Sequence, residues 1–337
     1  MKRNLNGSKF MLFLMVWVFV FVALLQFLFS VLSGRGVDVN AILTSPWLLI
    51  GQQLAIFILP LCVWLFVRGE KLGPSLPNMK LGGKNIILLI AISFLIQPVM
   101  MTISAVMSQF VTNDVATIMG EFTRHPMWLT FFAIAVTPAI CEELVFRGYI
   151  QSQYRHSAIK KAAIINGLFF AIIHLNLHQF AYAFAMGVIF AYLVHYTRSI
   201  WAGIIPHFII NATQAVLFRL AISSEPYGYA TEHEAYAILA QLPISAEVMA
   251  LIIIAVIAIC LSPVIVIVFR EFFSHNKWRL ELELAGDEFH ADYALVDKML
   301  REPLEGEETV KRGFAVDYYT LLVVVIFIVF TVLMVVV

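Results

Sequence analysis

Three charged residues lie inside one otherwise apolar segment of this chain: Glu142, Glu143 and Arg147. Even the lower scales put the cost of a charge at the centre of a membrane helix at about 2.5 to 3.5 kcal/mol, so such residues usually face a protein interior and serve a function. Glu143 and Arg147 have the spacing and order of a helical ion pair. Glu142 is rotated by about 100° from its neighbour, which leaves its carboxylate available for chemistry. The alternative is a purely structural ionic cluster, but a buried ion pair often adds no net stability.

Two later apolar segments also carry polar residues at helical spacing. His174 lies one turn after Phe170, and His207 shares a helical face with Asn211. Because lipid cannot satisfy the hydrogen-bonding groups of His207 and Asn211, these two side chains should face neighbouring helices of the protein. A single histidine such as His174 is usually a packing residue. A metal-chelating pair of His174 and His178 is a further, weaker interpretation.

Residue counts place these polar groups at similar depths. Glu142 and His174 are each 16 residues from Ala158, in the turn that joins their two segments. At 1.5 Å per residue both lie up to about 24 Å from that turn. The third motif begins 8 residues after the turn at Ser199, which gives a depth of roughly 12 to 18 Å. The polar residues are therefore expected to meet within the membrane, with access from the inner side.

The composition is that of a membrane protein. Of 337 residues, 61% are hydrophobic and only 13% are charged, against about 25% charged in soluble domains. Lys+Arg and Asp+Glu balance at 22 each, so no basic excess indicates a nucleic-acid partner. The three cysteines show no paired spacing that would indicate a disulfide framework or a thiolate zinc site. A nucleophilic Cys141 is a weak alternative, because a thiol in apolar surroundings is inert.

The apolar runs predict an all-α, polytopic transmembrane helix bundle of about nine spans, since most reach the roughly 20 residues needed to cross. The predicted spans are Phe10–Leu32, Trp47–Val67, Ile86–Phe110, Trp128 through the charged stretch, Ala162–Leu175, Phe180–Tyr196, Trp201–Leu220, Val248–Phe269 and Tyr319–Val337. The first is interpreted as a retained signal anchor. Pro98 predicts a kink in the third span. Small residues in the sixth, at Ala183, Gly187 and Ala191, predict close helix packing.

The basic residues predict the orientation. With the N-terminus inside, the predicted outer loops hold only Arg35, Arg124 and Arg219, whereas all other lysines and arginines except Arg147 lie on the inner side. The positive-inside rule therefore favours an N-in, C-out arrangement. Within the inner segment 271–313, apolar and charged residues alternate over Trp278–Leu284, a pattern typical of a strand or an interfacial segment. The favoured interpretation of this segment is a solvated linker to the last span.

Three motifs follow one another on separate predicted spans: Glu142-Glu143-x-x-x-Arg147, Phe170-x-x-x-His174 and His207-x-x-x-Asn211. In this order they resemble the CPBP family, the Abi or type II CAAX prenyl protease group of intramembrane proteases. That family includes the eukaryotic Ras-and-a-factor converting enzyme and bacterial bacteriocin-immunity and lysostaphin-resistance proteins. The resemblance covers about Trp128–Phe218. It divides the chain into spans one to three (1–124), a core of spans four to seven (125–220) and a C-terminal part (221–337).

The resemblance implies an intramembrane endopeptidase. Glu142 would be the general base, and His174 would help to activate a water. His207 and Asn211 would stabilise the oxyanion of the tetrahedral intermediate. Such roles are chemically coherent, because a base works best near neutral pKa and donors fixed in a dry site stabilise developing charge strongly.

The resemblance leaves the metal open. Glu143 and Arg147 would support the site by orienting the base and balancing charge. The family is often labelled metalloprotease, and in that version Glu142, His174 and His207 would bind zinc and lower the pKa of a bound water. No His-Glu-x-x-His signature is present, so no obligatory metal or other cofactor is expected, with zinc as the alternative.

The expected partners are membrane lipid and a peptide or prenylated protein. The substrate would be a CAAX-type C-terminal tail or a bacterial membrane peptide, cleaved at or just inside the inner face. The absence of a transit peptide or retrieval signal favours a bacterial inner membrane. Two alternatives belong to other classes: a non-catalytic bacteriocin-immunity or scaffold protein, and a proton-coupled transporter. The transporter is disfavoured because neither an internal repeat nor a second acidic cluster is present.

Overall fold

The computed structural model describes residues 2–73, 76–111, 122, 125–154, 157–223, 245–284 and 317–336. Over these residues the elements are helices, joined by turns and one isolated bridge between Asn78 and Ser199. The helices are α1 (Lys2–Gly34), α2 (Val39–Leu43), α3 (Pro46–Arg68), α4 (Gly83–Leu95), α5 (Gln97–Met107), α6 (Met127–Gln153), α7 (Ile159–Ile173), α8 (Leu177–Thr197), α9 (Trp201–Ser223), α10 (Ala246–Leu284) and α11 (Tyr318–Val336). The predicted all-α class is confirmed.

Seven stretches of the described residues are long and apolar enough to cross a membrane. They are Asn6–Gly34, Pro46–Arg68, Gly83–Met107, Met127–Gln153, Leu177–Thr197, Trp201–Leu220 and Val248–Leu280. The chain is thus a multi-pass integral membrane protein. Two of the nine predicted spans are not among these seven, because their described helices are shorter. They are α7, with 15 residues, and the apolar stretch Tyr318–Thr331. The count of nine and the N-in orientation remain predictions.

The two ends of the bundle differ in charge. We call one end the basic end, since it carries the described residues Lys9, Arg68, Lys71, Lys80, Lys84, Lys160, Lys161, Arg198, Arg270, Lys277 and Arg279. Hydrogen bonds join its loops: Met79 N–H donates to the Arg198 carbonyl (2.8 Å) and Ile200 N–H to the Pro77 carbonyl (2.7 Å). At the opposite, basic-poor end the basic residues that the structure describes are Arg35 and Arg219.

A strand at Trp278–Leu284, one of the interpretations of the sequence, is wrong, because α10 continues as a helix to Leu284. Phe272, Asn276 and Arg279 repeat at helical spacing and are all buried. Asn276 exchanges side-chain hydrogen bonds with Asn85 at 2.7 and 3.0 Å, and Arg279 donates to the carbonyl of Thr197 at 2.6 Å. The tertiary contacts of this helical face therefore outweigh the strand preference of the alternating apolar and charged residues. The rest of the segment, 285–313, lies outside the described residues.

Prolines interrupt the regular α-helical hydrogen bonding. The helix that begins at Gly83 stops at Leu95 and resumes at Gln97, so the break predicted at Pro98 is confirmed. In α3 and α6, the π-helical turns Leu54–Ile58 and Phe132–Val136 end just before Pro60 and Pro138. Since proline lacks an N–H, it cannot bond the carbonyl four residues earlier, and that carbonyl needs another donor.

The hairpin of α7 and α8 is held together by small residues. A Cβ added at Gly187 would lie 2.6 Å from the Gly167 Cα, so the two helix backbones touch. Ala183 and Ala191 are buried on the same face of α8, which confirms the predicted small-residue packing. Without a hydrophobic force between helices in lipid, such close approach is what lets them pack.

Replacing Gly187 with alanine should destabilise the protein by about 1 to 3 kcal/mol, because the added methyl group meets backbone that cannot move aside. The measurement is thermal unfolding of the purified protein in detergent. Gly51→Ala is the matched control, since a Cβ at that helical position meets nothing within 4 Å and should be neutral or slightly stabilising. Equal melting temperatures for the two variants would contradict the expected contact.

Candidate active site

The carboxylate of Glu142 lies at the wall of an internal cavity, on the α6 turn that follows Pro138. The residue is 5% exposed. Its Oε1 accepts a hydrogen bond from Gln53 Nε2 at 3.3 Å, and its Oε2 lies 3.9 Å from His207 Nε2. Among the described side chains, this carboxylate therefore has no hydrogen-bonded cation, although His207 is within ion-pair distance when its ring is protonated.

The adjacent Glu143 belongs to a separate, fully buried network. Its Oε1 accepts hydrogen bonds from Arg147 Nη1 at 2.8 Å and from His207 Nδ1 at 3.0 Å. The predicted ion pair is thus formed, and both of its side chains are completely buried. A Cβ added at Gly203 would clash with Glu143 Oε2, so only glycine lets the carboxylate sit against α9.

Arg147 is fixed by aromatic rings and by α8. Its guanidinium lies 4.4 Å from the ring centroid of Phe170 and 5.3 Å from that of Phe190. Its Nη2 donates to the Gly187 carbonyl at 3.3 Å. Cation–π contacts of this kind gain strength when they are desolvated. The cluster therefore anchors α6 against α7 and α8.

The two histidines present the same nitrogen to the cavity. His174 follows the last residue of α7, and its Nδ1 lies 2.6 Å from the Phe170 carbonyl. Because a carbonyl can only accept, that Nδ1 carries the proton. The same argument applies to His207 Nδ1, which faces the Glu143 carboxylate. Nε2 is then the nitrogen of each ring that can interact with a reactant.

Asn211 reaches across to α6, where its Nδ2 donates to the Ile134 carbonyl at 3.0 Å. This carbonyl lies four residues before Pro138 and so has no regular helical donor. The side-chain amide supplies the missing hydrogen bond. One Nδ2 hydrogen and the Oδ1 atom of Asn211 remain for other partners.

The cavity has a volume of about 250 Å³ and brings together all four residues that were predicted to act directly. Its lining consists of Leu49, Gln53, Ile134, Pro138, Glu142, Phe170, His174, Gln179, Tyr182, Ala183, Met186, His207, Ile210, Asn211, Gln214, Ala215 and Phe218. A second cavity of about 310 Å³ adjoins it and shares Tyr182, Gln214 and Phe218. Most of the lining is apolar, as in small-molecule and peptide sites generally.

His178 lines the second cavity and not the first. Its Nε2 lies 2.9 Å from Ser108 Oγ. A metal-chelating pair with His174 is therefore not supported. Cys141 is buried as a free thiol and is absent from the lining of both cavities.

Gln53 is a site residue that the sequence analysis missed. It lies at the end of the first α-helical part of α3, 89 positions before Glu142, with which it forms a hydrogen bond. The available signal was an amide side chain inside an apolar span, since polar groups in such spans mostly face the protein interior. Its Oε1 is buried without a partner in the described structure.

The donor types, but not their spacing, fit zinc. Glu142, His174 and His207 offer one carboxylate and two Nε2 atoms, and both Nδ1 atoms are held by an acceptor, as in many metal-binding histidines. Within the described ranges, however, no group of three or more His, Cys, Asp or Glu residues is close enough to hold a metal ion. The side chains as placed do not form a zinc site.

Comparison with known proteins bears on the same segment. Residues 124–213 match the family model described as type II CAAX prenyl endopeptidase Rce1-like, which covers about a quarter of the chain. No curated protein and no solved structure matches the chain. The matched segment contains all three motifs from which the resemblance was drawn. This match supports the resemblance of this part of the chain to the CPBP family of CAAX proteases.

Proposed function

We propose that this protein is an intramembrane endopeptidase in which Glu142 activates the hydrolytic water. The observation that carries the proposal is the division of labour between two adjacent carboxylates. Glu143 is neutralised by Arg147, whereas Glu142 faces a cavity and accepts its side-chain hydrogen bond from an amide. Pairs of carboxylates in different environments are the usual source of distinct catalytic roles.

In this mechanism the water lies between Glu142 and His174. Glu142 accepts a proton as the water oxygen bonds to the carbonyl carbon of the substrate. His174 Nε2, as an acceptor, holds the second hydrogen of that water. When the tetrahedral intermediate collapses, the carbon–nitrogen bond breaks and Glu142 gives its proton to the leaving amine.

His207 and Asn211 would stabilise the oxyanion. His207 Nδ1 donates to Glu143, so Nε2 can donate only from the imidazolium form. Asn211 contributes the Nδ2 hydrogen that does not bind Ile134. Donors fixed in this way stabilise charge that develops in a transition state.

The substrate class follows from the family. A peptide segment, either a CAAX-type tail or a bacterial membrane peptide, is the proposed substrate, and the surrounding lipid belongs to the working environment. The apolar lining of the cavity favours apolar side chains next to the cleaved bond. We also propose a bacterial inner membrane as the location.

A cleavage assay with purified protein in detergent tests the proposal. A panel of fluorogenic CAAX-tailed and unprenylated apolar peptides is incubated with and without a chelator, and the zinc content of the protein is measured. We expect cleavage that survives the chelator. Cleavage that is lost with chelator and restored by zinc would overturn the metal-independent mechanism. No cleavage by well-folded protein across the panel would favour the immunity or scaffold alternative.

Gln53→Met should lower kcat/KM about 10- to 100-fold, because a hydrogen bond to a charged group is worth about 1.5 to 3 kcal/mol. As a positioning residue, Gln53 should affect kcat more than KM and should alter the pH profile of kcat, since its partner is the proposed base. Gln52→Met, the neighbouring glutamine outside the cavity lining, is the control. An equal loss in both variants, or an unchanged pH profile, would assign Gln53 a structural role only.

A further inference from the structure

The cavity extends from Glu142 mainly in one direction. Its lining residues on α6, Ile134 and Pro138, both precede Glu142 and so lie toward the basic-poor end. On α9, which runs the opposite way, the lining continues past His207 as far as Phe218, again toward the basic-poor end. We infer that the substrate reaches Glu142 from the basic-poor end, so that the cleaved segment is presented on the outer face of the membrane. This inference rests on the proposed function.

Hydrogen bonds between α6 and α8 give the depth of the site. Arg147 donates to the Gly187 carbonyl and Gln151 to the Ala191 carbonyl, so the two parallel helices keep a constant offset of 40 positions. By this offset Glu142 lies near the level of Tyr182, which lines the same cavity. That residue is about 8 Å from the start of α8 at the basic-poor end and about 22 Å from its other end. The carboxylate is much nearer to the basic-poor end.

The opposite direction is filled. Beyond Glu142 toward the basic end lie the Glu143–Arg147 ion pair and the rings of Phe146 and Phe190, all at most 1% exposed. Closely packed backbone at Gly187 lies on the same side. By contrast, Gln179 is half-buried and Gln214 is exposed at the other end of the cavity within the described structure.

Charge assigns these ends to the two faces of the membrane. The basic end carries nearly all of the described lysines and arginines, whereas Arg35 and Arg219 are those of the basic-poor end. Such an excess marks the cytoplasmic side. The site then opens outward, and the expected inner-side access is not supported. A cytoplasmic CAAX tail cannot reach it, so the substrate class is an apolar segment of a secreted or membrane protein at the outer leaflet.

Cysteine labelling of the full chain in bacterial spheroplasts tests the inference. Single cysteines replace Arg35, Lys160 or Gln214 in a background where Cys62, Cys141 and Cys260 are alanine, and a membrane-impermeant maleimide is added. We expect labelling at positions 35 and 214 and protection at position 160 until the membrane is permeabilised. Labelling at 160 with protection at 35 would reverse the orientation and overturn the inference. Labelling at 35 without 214 would show a closed outer entrance and also overturn it.

A second arm uses activity in detergent. A bulky maleimide on Gln214→Cys should reduce peptide cleavage at least tenfold, whereas the same reagent on Lys160→Cys should leave it unchanged. Unchanged cleavage after complete labelling of Gln214→Cys would contradict entry past this residue. If no peptide is cleaved at all, the proposed function fails, while the labelling result still reports which face the cavity opens to.

Discussion

Glu142→Gln should lower kcat/KM for peptide cleavage about 10²- to 10⁴-fold, the usual contribution of a general base. The amide cannot accept the proton of the attacking water, but it keeps the shape of the carboxylate and an oxygen that can accept from Gln53 Nε2. The nearest group that could carry a positive charge, His207 Nε2, is 3.9 Å away, so the substitution breaks no hydrogen-bonded ion pair. The fold should therefore be retained, and the loss should appear in kcat.

The measurement is steady-state cleavage by protein that elutes as a single species in detergent. Glu70→Gln is the matched control, since Glu70 accepts a hydrogen bond from the Tyr149 hydroxyl at 2.9 Å but lies outside the cavity lining. It should keep activity within about threefold. Comparable activity of Glu142→Gln and the control would reject Glu142 as the base. Loss in both would indicate a general sensitivity to removing a carboxylate.

Arg147→Met should destabilise the protein by about 3 to 5 kcal/mol, because it leaves the Glu143 carboxylate buried without its cation. The double variant Glu143→Gln/Arg147→Met should recover much of this loss, since a buried ion pair replaced by uncharged groups of similar size is often near neutral. Unfolding in detergent, followed by helical circular dichroism, measures both effects.

Arg68→Met provides the comparison for a cation near the surface. Arg68 bonds Glu70 at 2.7 Å, but about a third of each side chain is exposed, so this pair should contribute at most about 1 kcal/mol. If Arg147→Met costs no more than Arg68→Met, the Glu143–Arg147 pair does not anchor the helices. If the double variant is less stable than Arg147→Met alone, the carboxylate has a role in addition to pairing with Arg147.

Spacing along one helix was the most informative feature of the sequence. The contact between Glu143 and Arg147 and the packing around Gly187 depend on positions four residues apart, which the helical repeat fixes in advance. Such properties need only the pitch of a helix and the direction of the chain.

Contacts between distant segments could not be predicted in the same way. Gln53 meets Glu142 across 89 positions, and either Gln52 or Gln53 could have faced the protein interior. Asn276 and Arg279 bury one face of α10 against residues near the start of α4 and the end of α8, so tertiary packing decides between helix and strand there. Depth alone was also not sufficient to predict the side of access, because the open side of the cavity depends on which large rings fill the opposite side.

The bond between Asn211 and Ile134 has an implication for how the protein can vary. Pro138 leaves a carbonyl that only a donor can satisfy, and the asparagine amide supplies it. An aspartate at position 211 would place a carboxylate oxygen against that carbonyl, with two acceptors facing each other and no hydrogen between them. The identities at 138 and 211 should thus covary: a homologue with aspartate at the second position should carry a residue with a backbone N–H at the first.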